Sequence, residues 1–341
     1  MYFNMISIEK QNFEQLKAII RVDFNVPLGA NNQVLDSSRI EGAKPTIMKV
    51  LNDGGSCILM SHLGRPKKRD KALSFKHIVP EIEKTLNLKV KFVEEAIGDK
   101  TKEAAKALRP REVLLLENLR FYPEEIEGDK EFARKLASYA DCYINDAFGT
   151  AHRAHASTTT IAGFFKKKKF SGLLLYNEVN AIKKVLQKGK KPVLAILGGA
   201  KVSSKITIIE NIMDKVDEII IGGGMAFTFI KALGGSIGNS IVEGDKLNLA
   251  LSIMEKAKKK RVKIYLPVDS LCSDKFSNTG KKKLFETNKI PKKWQGLDSG
   301  PKSIEIFNKA IMSAKTILWN GPVGVFELES FSKGTIAIGN S

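Results

Sequence analysis

The stretch Ile19–Leu28, IIRVDFNVPL, opens like a strand buried in a parallel sheet and then departs from that pattern. Such strands read as nearly continuous apolar runs, because helices cover both of their faces. Here Arg21, Asp23 and Asn25 alternate with Val22, Phe24 and Val26, so three polar side chains share one face of an extended chain. An edge strand facing water is one answer. The remainder of the chain argues for another.

Working outward, short apolar runs alternate with helical patterns along almost the whole length. The strand candidates are AIIRVDF, SCILMS, VKFV, EVLLLEN and CYINDAF in the first half, then VLAILGG, EIIIGGG, VKIYLPV and TILWNG in the second. Between them lie helical patterns such as RIEGAKPTIMKVLNDG, SFKHIVPEIEKTLN and KEFARKLASYA. This rhythm predicts an α/β protein with doubly wound parallel sheets. At 341 residues the chain is long for a single core, so two domains are expected. The rhythm pauses at 161–191, where one amphipathic segment, Leu173–Leu186, precedes a Gly/Lys-rich turn and Pro192. The expected division is therefore 1–170, a connecting helix and linker at 171–190, and 191–341.

Composition narrows the function classes. With 43% hydrophobic and 27% charged residues the chain reads as globular, not disordered. The N-terminus lacks a basic region followed by an apolar run, so no secretory signal is expected. No apolar stretch has the length that spans a bilayer. Cys57, Cys142 and Cys272 are widely spaced, which fits free buried thiols and a cytoplasmic location. The net charge of +19 invites a nucleic-acid reading. However, the surplus is spread over both halves, with 29 basic and 22 acidic groups in 1–170 and 27 and 15 in 171–341. The densest run, FFKKKKF at 164–170, has no interleaved stacking aromatics and reads as a solvated surface. Anionic small molecules suit this charge, and neither nucleic acid nor membrane is expected as a partner.

Ligands of open α/β sheets bind beyond the carboxyl ends of the strands. In the first half those ends read DFNVP, SHLGRP, ENLRFY and NDAFGTAHRAH, each with an Arg, His, Asp or Asn. In the second half they read LGGAKVSSK, IGGGMAF, PVDS and NGPVGVFE, mostly glycine-rich. The first set suits a compact anion held by side chains, since guanidinium forks bond two oxygens of a carboxylate or phosphate at once. The second set suits close backbone approach to a nucleotide. Singly, each residue also has a plainer reading: His62 as a satisfied core histidine, Arg120 as an ion-pair partner of Glu117, His155 as structural. Arg21 is read as structural, because it enters its strand early and far from the carboxyl end. Neither G-x-G-x-x-G nor G-x-x-x-x-G-K-[ST] is matched by the glycine loops, and protein-kinase signatures are absent.

The segments RVDFNVPL, SRI, SHLGRP, LENLRF, DAFGTAHRAHAST, LGGAKVSSKI, IIGGGMAFTF, GLDSGP and WNGPVGVFE resemble phosphoglycerate kinase, in that family's order. The resemblance runs from near the N-terminus to the end of the chain. It implies two Rossmann-like domains joined by a helix, and the glycolytic transfer between 1,3-bisphosphoglycerate and ADP that gives 3-phosphoglycerate and ATP. Carried over by position, it implies that Asp23, Asn25, Arg39, His62, Arg65, Arg120, His152 and Arg153 hold 3-phosphoglycerate, with Asp23 accepting from its C2 hydroxyl. It also implies that Lys201 and Lys205 contact nucleotide phosphates, that Gly223, Gly224 and Gly296 border the adenine and ribose, and that Glu327 accepts from a ribose hydroxyl. Arg39 and Lys201 are the expected catalytic pair, since an attacking carboxylate is already ionised and needs positive charge and alignment, not a base.

The same resemblance implies magnesium carried on the nucleotide, a monomer, and a hinge at Leu173–Leu186 and its flanks. Family members continue for several dozen residues past the counterpart of Ser341, with further nucleotide loops and a magnesium ligand. The expectation is therefore that this chain alone is unstable or nearly inactive. The competing classes are a nicotinamide-dependent dehydrogenase, a basic nucleic-acid-binding module, and a catalytically dead relative that only binds. The first lacks its glycine fingerprint here, and the second predicts steeply salt-dependent binding.

Overall fold

Apolar runs separated by helical periods build two sheet-centred units in the computed structural model, which describes residues 6–341. Residues 1–5, part of the stretch read above for a leader, lie outside the described residues. The units are Met1–Asn180 and Ala181–Ser341. The helix Leu173–Lys188 carries the chain from one to the other.

In the first unit six strands form a wholly parallel sheet: β1 (Lys17–Arg21), β2 (Ser56–Met60), β3 (Val90–Val93), β4 (Val113–Leu116), β5 (Cys142–Asn145) and β6 (Lys169–Ser171), in the order β3-β4-β2-β1-β5-β6. Alternate residues of β1 serve opposite faces. Ala18 and Ile20 pack with Ile40, Ala43, Ile47 and Val50 of the helix Ser38–Asn52, while Ile19 faces Phe132, Ala133 and Leu136 of the helix Lys130–Ala137. Both faces are therefore dry, which is why the run reads as continuously apolar.

The second unit holds a parallel sheet and a smaller antiparallel one. Its strands are β7 (Val193–Leu197), β8 (Glu218–Ile221), β9 (Ser236–Ile237), β10 (Lys263–Tyr265), β11 (Asp269–Ser273), β12 (Lys282–Glu286), β13 (Lys289–Ile290), β14 (Gln295–Ser299) and β15 (Thr316–Asn320). The parallel order is β10-β8-β7-β15, the antiparallel order β12-β11-β14, and β13 pairs with β9. Leu194 and Ile196 of β7 face Phe307 of the helix Pro301–Ser313, and Val193, Ala195 and Leu197 face the opposite cluster. At one edge β15 leaves Ile317 and Trp319 exposed.

The α/β class and doubly wound parallel sheets expected from the sequence are what the chain forms, and each of the nine strand candidates overlaps an observed strand. Two differences matter. First, β6 emerges from the end of the lysine run, whose Lys166, Lys167 and Lys168 remain exposed. Second, β1 stops at Arg21, two residues before Asp23.

Candidate functional site

The early end of β1 corrects the reading of Arg21. That residue is not far from the carboxyl end of its strand; it is the carboxyl end, and it is fully buried. Beyond it the backbone leaves the ladder: Phe24 N–H donates to the Ser61 hydroxyl at 2.9 Å, not to a strand carbonyl. Asp23 and Asn25 thus sit in a loop over the strand ends, while Val22, Phe24 and Val26 anchor that loop in the core as expected.

Around this point the first unit gathers most of its sequence-marked residues. Arg39, in the first turn of the helix Ser38–Asn52, donates from Nη1 to Oδ2 of Asp23. The other oxygen of Asp23 accepts from Asn25 N–H at 3.2 Å. Asn25 Oδ1 in turn accepts from Gly64 N–H at 2.7 Å, tying this loop to the one that carries His62 and Arg65. Asn118 performs the same service for β4. Its Oδ1 accepts from Leu63 N–H (3.2 Å) and Arg120 N–H (3.0 Å), and its Nδ2 donates to Leu63 O (2.8 Å) and Leu73 O (2.9 Å).

His62 is buried, with Nδ1 3.2 Å from Arg21 Nη2. Burial, and then the charges of Arg21, Arg120, Arg153 and Arg39, push its imidazole down to about 2, so it is neutral throughout the working pH range. Arg120 is also buried, and its Nε has no partner among the described residues. Burial and the neighbouring Arg153, Arg21 and Arg65 hold its guanidinium below the ordinary arginine value, with Glu125 pulling the other way. A partly desolvated guanidinium with a sealed, unpaired Nε among other cations is chemically suited to an anion. Arg120 is not the ion-pair partner of Glu117, whose oxygens accept from Ser74 Oγ, Phe75 N–H and Asn118 N–H. Arg65 and His152 are exposed and Arg153 half-buried. His155 is buried and pushed down to about 4 by burial and the charges of Arg120, Arg153, Arg21 and His152.

Two residues of this cluster escaped the sequence reading, Glu125 and Ser157, while Arg21 was noted but read as structural. Glu125 lies in the short helix Pro123–Glu127 and is fully buried, accepting from Ser157 Oγ at 2.6 Å and Ser157 N–H at 2.9 Å. Burial raises its carboxyl above the usual range, opposed by Arg21 and Ser157. Arg21 was marked by its charge inside an apolar run, whereas Glu125, one of several acids in PEEIEGD, and Ser157 carried no distinguishing signal.

In the second unit a cavity of about 640 Å³ opens over the ends of β7, β8, β14 and β15. Gly223, Gly224, Gly296 and Glu327 all line it. Gly223 has φ +68°, and a Cβ there would lie 2.8 Å from Gly199 O and 2.9 Å from Gly199 N, so only glycine fits. Gly296 N–H donates to Ser240 Oγ at 2.9 Å, and a Cβ on it would meet the Phe227 ring. Lys201 and Lys205 are not part of that lining; Lys201 is exposed, and Lys205 Nζ donates to Asn320 Oδ1 at the end of β15. Burial lowers the Lys205 ammonium below its ordinary value. Asp298, inside the GLDSGP segment but given no role from sequence, lines the cavity, accepts from Ser299 N–H (2.9 Å) and Gly334 N–H (2.8 Å), and is pushed up to about 6 by burial. Among the described residues no group of three or more His, Cys, Asp or Glu side chains is placed to hold a metal ion. No helix among them is long and apolar enough to cross a membrane.

Comparison with known proteins gives one answer. The family model described as phosphoglycerate kinase matches residues 8–341. A phosphoglycerate kinase of Porphyromonas gingivalis is 48% identical, over 98% of this chain and 86% of that protein. The cytosolic phosphoglycerate kinase 3 of Arabidopsis thaliana is 46% identical, over 97% of this chain and 82% of its own. Among solved structures, phosphoglycerate kinase from Coxiella burnetii superposes with a TM-score of 0.78 at 38% identity, covering 98% of this chain and 85% of that one. That from Pyrococcus horikoshii gives 0.83 at 27% identity with the same coverage. Matched in sequence and in fold over nearly its whole length, this chain belongs to the phosphoglycerate kinase family of phosphotransferases.

Proposed function

We propose that the chain catalyses the reversible transfer of a phosphoryl group between 1,3-bisphosphoglycerate and ADP, giving 3-phosphoglycerate and ATP. The observation that carries this reading is the cluster at the strand ends of the first unit. There the unpaired Arg120 Nε and neutral His62 stand among Arg39, Arg65 and Arg153, with Asp23 and Asn25 beside them. A bare phosphate would use only the cations. A phosphorylated hydroxy acid also uses an acceptor for its hydroxyl, and Asp23 supplies one. His152, next to Arg153, completes the substrate set.

For the nucleotide, the glycine-walled cavity takes the base and ribose at Gly223, Gly224 and Gly296, with Glu327 accepting from a ribose hydroxyl. Lys201 and Lys205, beside it, take the phosphates. Magnesium enters as part of the nucleotide substrate, and such ions are held largely by phosphates and waters. In the ATP-consuming direction a carboxylate oxygen of 3-phosphoglycerate attacks the γ-phosphorus, the bond to the β-bridging oxygen breaks, and ADP leaves. No proton moves, so no general base is needed, and Arg39 and Lys201 stabilise charge on the transferring group. The functional division follows as 1–170 for the acid, 171–190 as connector and 191–341 for the nucleotide. Transfer requires the two ligands to meet without intervening water, and the segment around Leu173–Leu186 supplies the hinge. The working form is a cytoplasmic monomer; the plant relatives named cytosolic support the location.

A coupled assay of ATP-dependent 3-phosphoglycerate phosphorylation tests the reading, alongside calorimetric binding of 3-phosphoglycerate. Binding of 3-phosphoglycerate is expected, and turnover is the arm that tests the expectation from sequence that this chain alone is nearly inactive. Binding without turnover would make the chain a binding protein, and loss of both would overturn the assignment.

A further inference from the structure

The buried polar chain behind His62 runs in one direction only. A guanidinium has donors and no acceptor, so the imidazole nitrogen that faces Arg21 Nη2 at 3.2 Å, Nδ1, must carry the lone pair. Arg21 is itself held from behind. Its Nε donates to Ser157 Oγ at 2.8 Å, and that hydroxyl spends its single proton on Glu125 Oε1 at 2.6 Å. Glu125 Oε2 accepts from Ser157 N–H at 2.9 Å, and its main-chain carbonyl from Ala156 N–H at 2.8 Å, so the acid and the serine are locked together. Arg21, Ser157 and Glu125 are each fully buried. Arg21 Nη1 also donates to Val22 O and, at 3.3 Å, to Ser61 Oγ. Every bond therefore runs outward from Arg21: through Ser157 to Glu125, to Val22 and Ser61, and to His62.

We propose that Ser157 and Glu125 are positioning residues which, through Arg21, fix His62 as its neutral Nε2–H tautomer, so that the ring serves the anion site as a hydrogen-bond donor. Nε2 has no protein partner among the described residues and is not among their sealed, unpaired atoms, which leaves it free for a ligand oxygen. A histidine in a ring of arginines would otherwise offer a lone pair to an anion, which repels it. The charged groups facing it, Arg21 from β1, Arg39 from the helix Ser38–Asn52, Arg120 after β4 and Arg153 after β5, all oppose a second proton. The tautomer, and not protonation, decides whether His62 attracts or repels.

The inference rests on the proposed 3-phosphoglycerate site only for its ligand, and the test separates the two. Long-range proton–nitrogen NMR on the nitrogen-15-labelled chain reads the four histidines, His62, His77, His152 and His155, without substrate between pH 5 and 8. His62 is expected to show a protonated Nε2 and a bare Nδ1 across the whole range. A protonated Nδ1, or titration within that range, overturns the proposal with no variant needed. Ser157→Ala removes the Nε anchor, so that a guanidinium held only at Nη1 by Val22 O and Ser61 Oγ is expected to turn Nη2 away from Nδ1. His62 then becomes a mixture of tautomers and 3-phosphoglycerate binding weakens about tenfold, while Ser157→Thr, which keeps the hydroxyl, restores both. An unchanged His62 pattern in a folded Ser157→Ala chain also overturns it. A shifted pattern in a protein with no affinity for 3-phosphoglycerate leaves the tautomer assignment standing and removes the substrate reading instead.

Discussion

Arg39 Nη1 donates to Asp23 Oδ2, joining the first turn of a helix to the loop that follows the central strand. The arginine side chain is half exposed, so the pair contributes less than about 1 kcal/mol and is readily exchanged for a ligand. The use proposed for Asp23 among so many cations is as the acceptor for a substrate hydroxyl. Asp23→Asn is expected to weaken 3-phosphoglycerate by about tenfold, within the range of a buried hydrogen bond to a charged group. It should leave 3-phosphopropionate, which lacks that hydroxyl, nearly unaffected. Equal losses for the two ligands in calorimetry would remove Asp23 from hydroxyl recognition.

Arg39→Ala separates binding from catalysis. The ground-state anion retains Arg65, Arg120, Arg153 and His62, so its affinity is expected to change only a few-fold. Charge on the transferring group loses a dedicated donor, which typically lowers kcat by about 10²–10³. A variant with near-normal kcat takes Arg39 out of the chemistry.

The parallel sheets were legible because continuous apolar runs such as VLLL and VLAIL have no other stable home than a sheet covered on both faces. The antiparallel strands were not. DSLCS, KKLFE and QGLDS are polar and short, and their pairing is set by tertiary register. The same contrast runs through the candidate site. Arg39, His62, Arg120 and Arg153 stand out by residue type at strand or helix ends, whereas Arg21 looked internal because Val22, Phe24 and Val26 continue the apolar alternation past the strand's true end. Those three residues pin a loop, and alternation cannot distinguish a pinned loop from a strand. Glu125 and Ser157 lie 32 residues apart in sequence, and their shared hydrogen bonds follow only from the fold.

Asn118 holds the His62 loop to the Arg120 turn through four hydrogen bonds and is wholly buried. Asn118→Ala strands two main-chain carbonyls and two N–H groups. A loss of about 3 kcal/mol in urea unfolding is expected, from one to three for each orphaned group with partial relaxation. 3-Phosphoglycerate affinity should fall with it, because both loops carry site residues. A loss below about 1 kcal/mol would mean that the two loops hold their positions without this residue.

Gly223→Ala tests the second unit independently. Its left-handed backbone and the approach of Gly199 leave no room for a methyl group, so the loop must move and the cavity wall with it. Nucleotide affinity is expected to fall at least tenfold, while 3-phosphoglycerate binding to the first unit persists. If nucleotide binding survives unchanged, the cavity over β7 and β8 is not the nucleotide site.

Asp146 sets the sign of a pH effect. Its N–H donates to Arg21 O at 2.8 Å, its Oδ1 accepts from Leu175 N–H at 3.1 Å in the first turn of the helix Leu173–Lys188, and its Oδ2 is buried without a partner among the described residues. Burial pushes the carboxyl up from 3.8 to about 6, against hydrogen bonds from Thr46, Leu175 and Leu174. The folded chain thus binds this proton more tightly than the unfolded chain does. The stabilisation is complete below the unfolded value and is lost as pH rises from about 4 to about 6. Roughly two pKa units correspond to about 3 kcal/mol. Asp146→Asn is expected to flatten urea-derived stability across that window and to leave the chain more stable than wild type at pH 7.5. Asp298, displaced in the same direction by burial in the other unit, should keep its own share of the slope in that variant. A wild-type slope undiminished in Asp146→Asn would show that this carboxyl stays ionised in the fold down to its ordinary value.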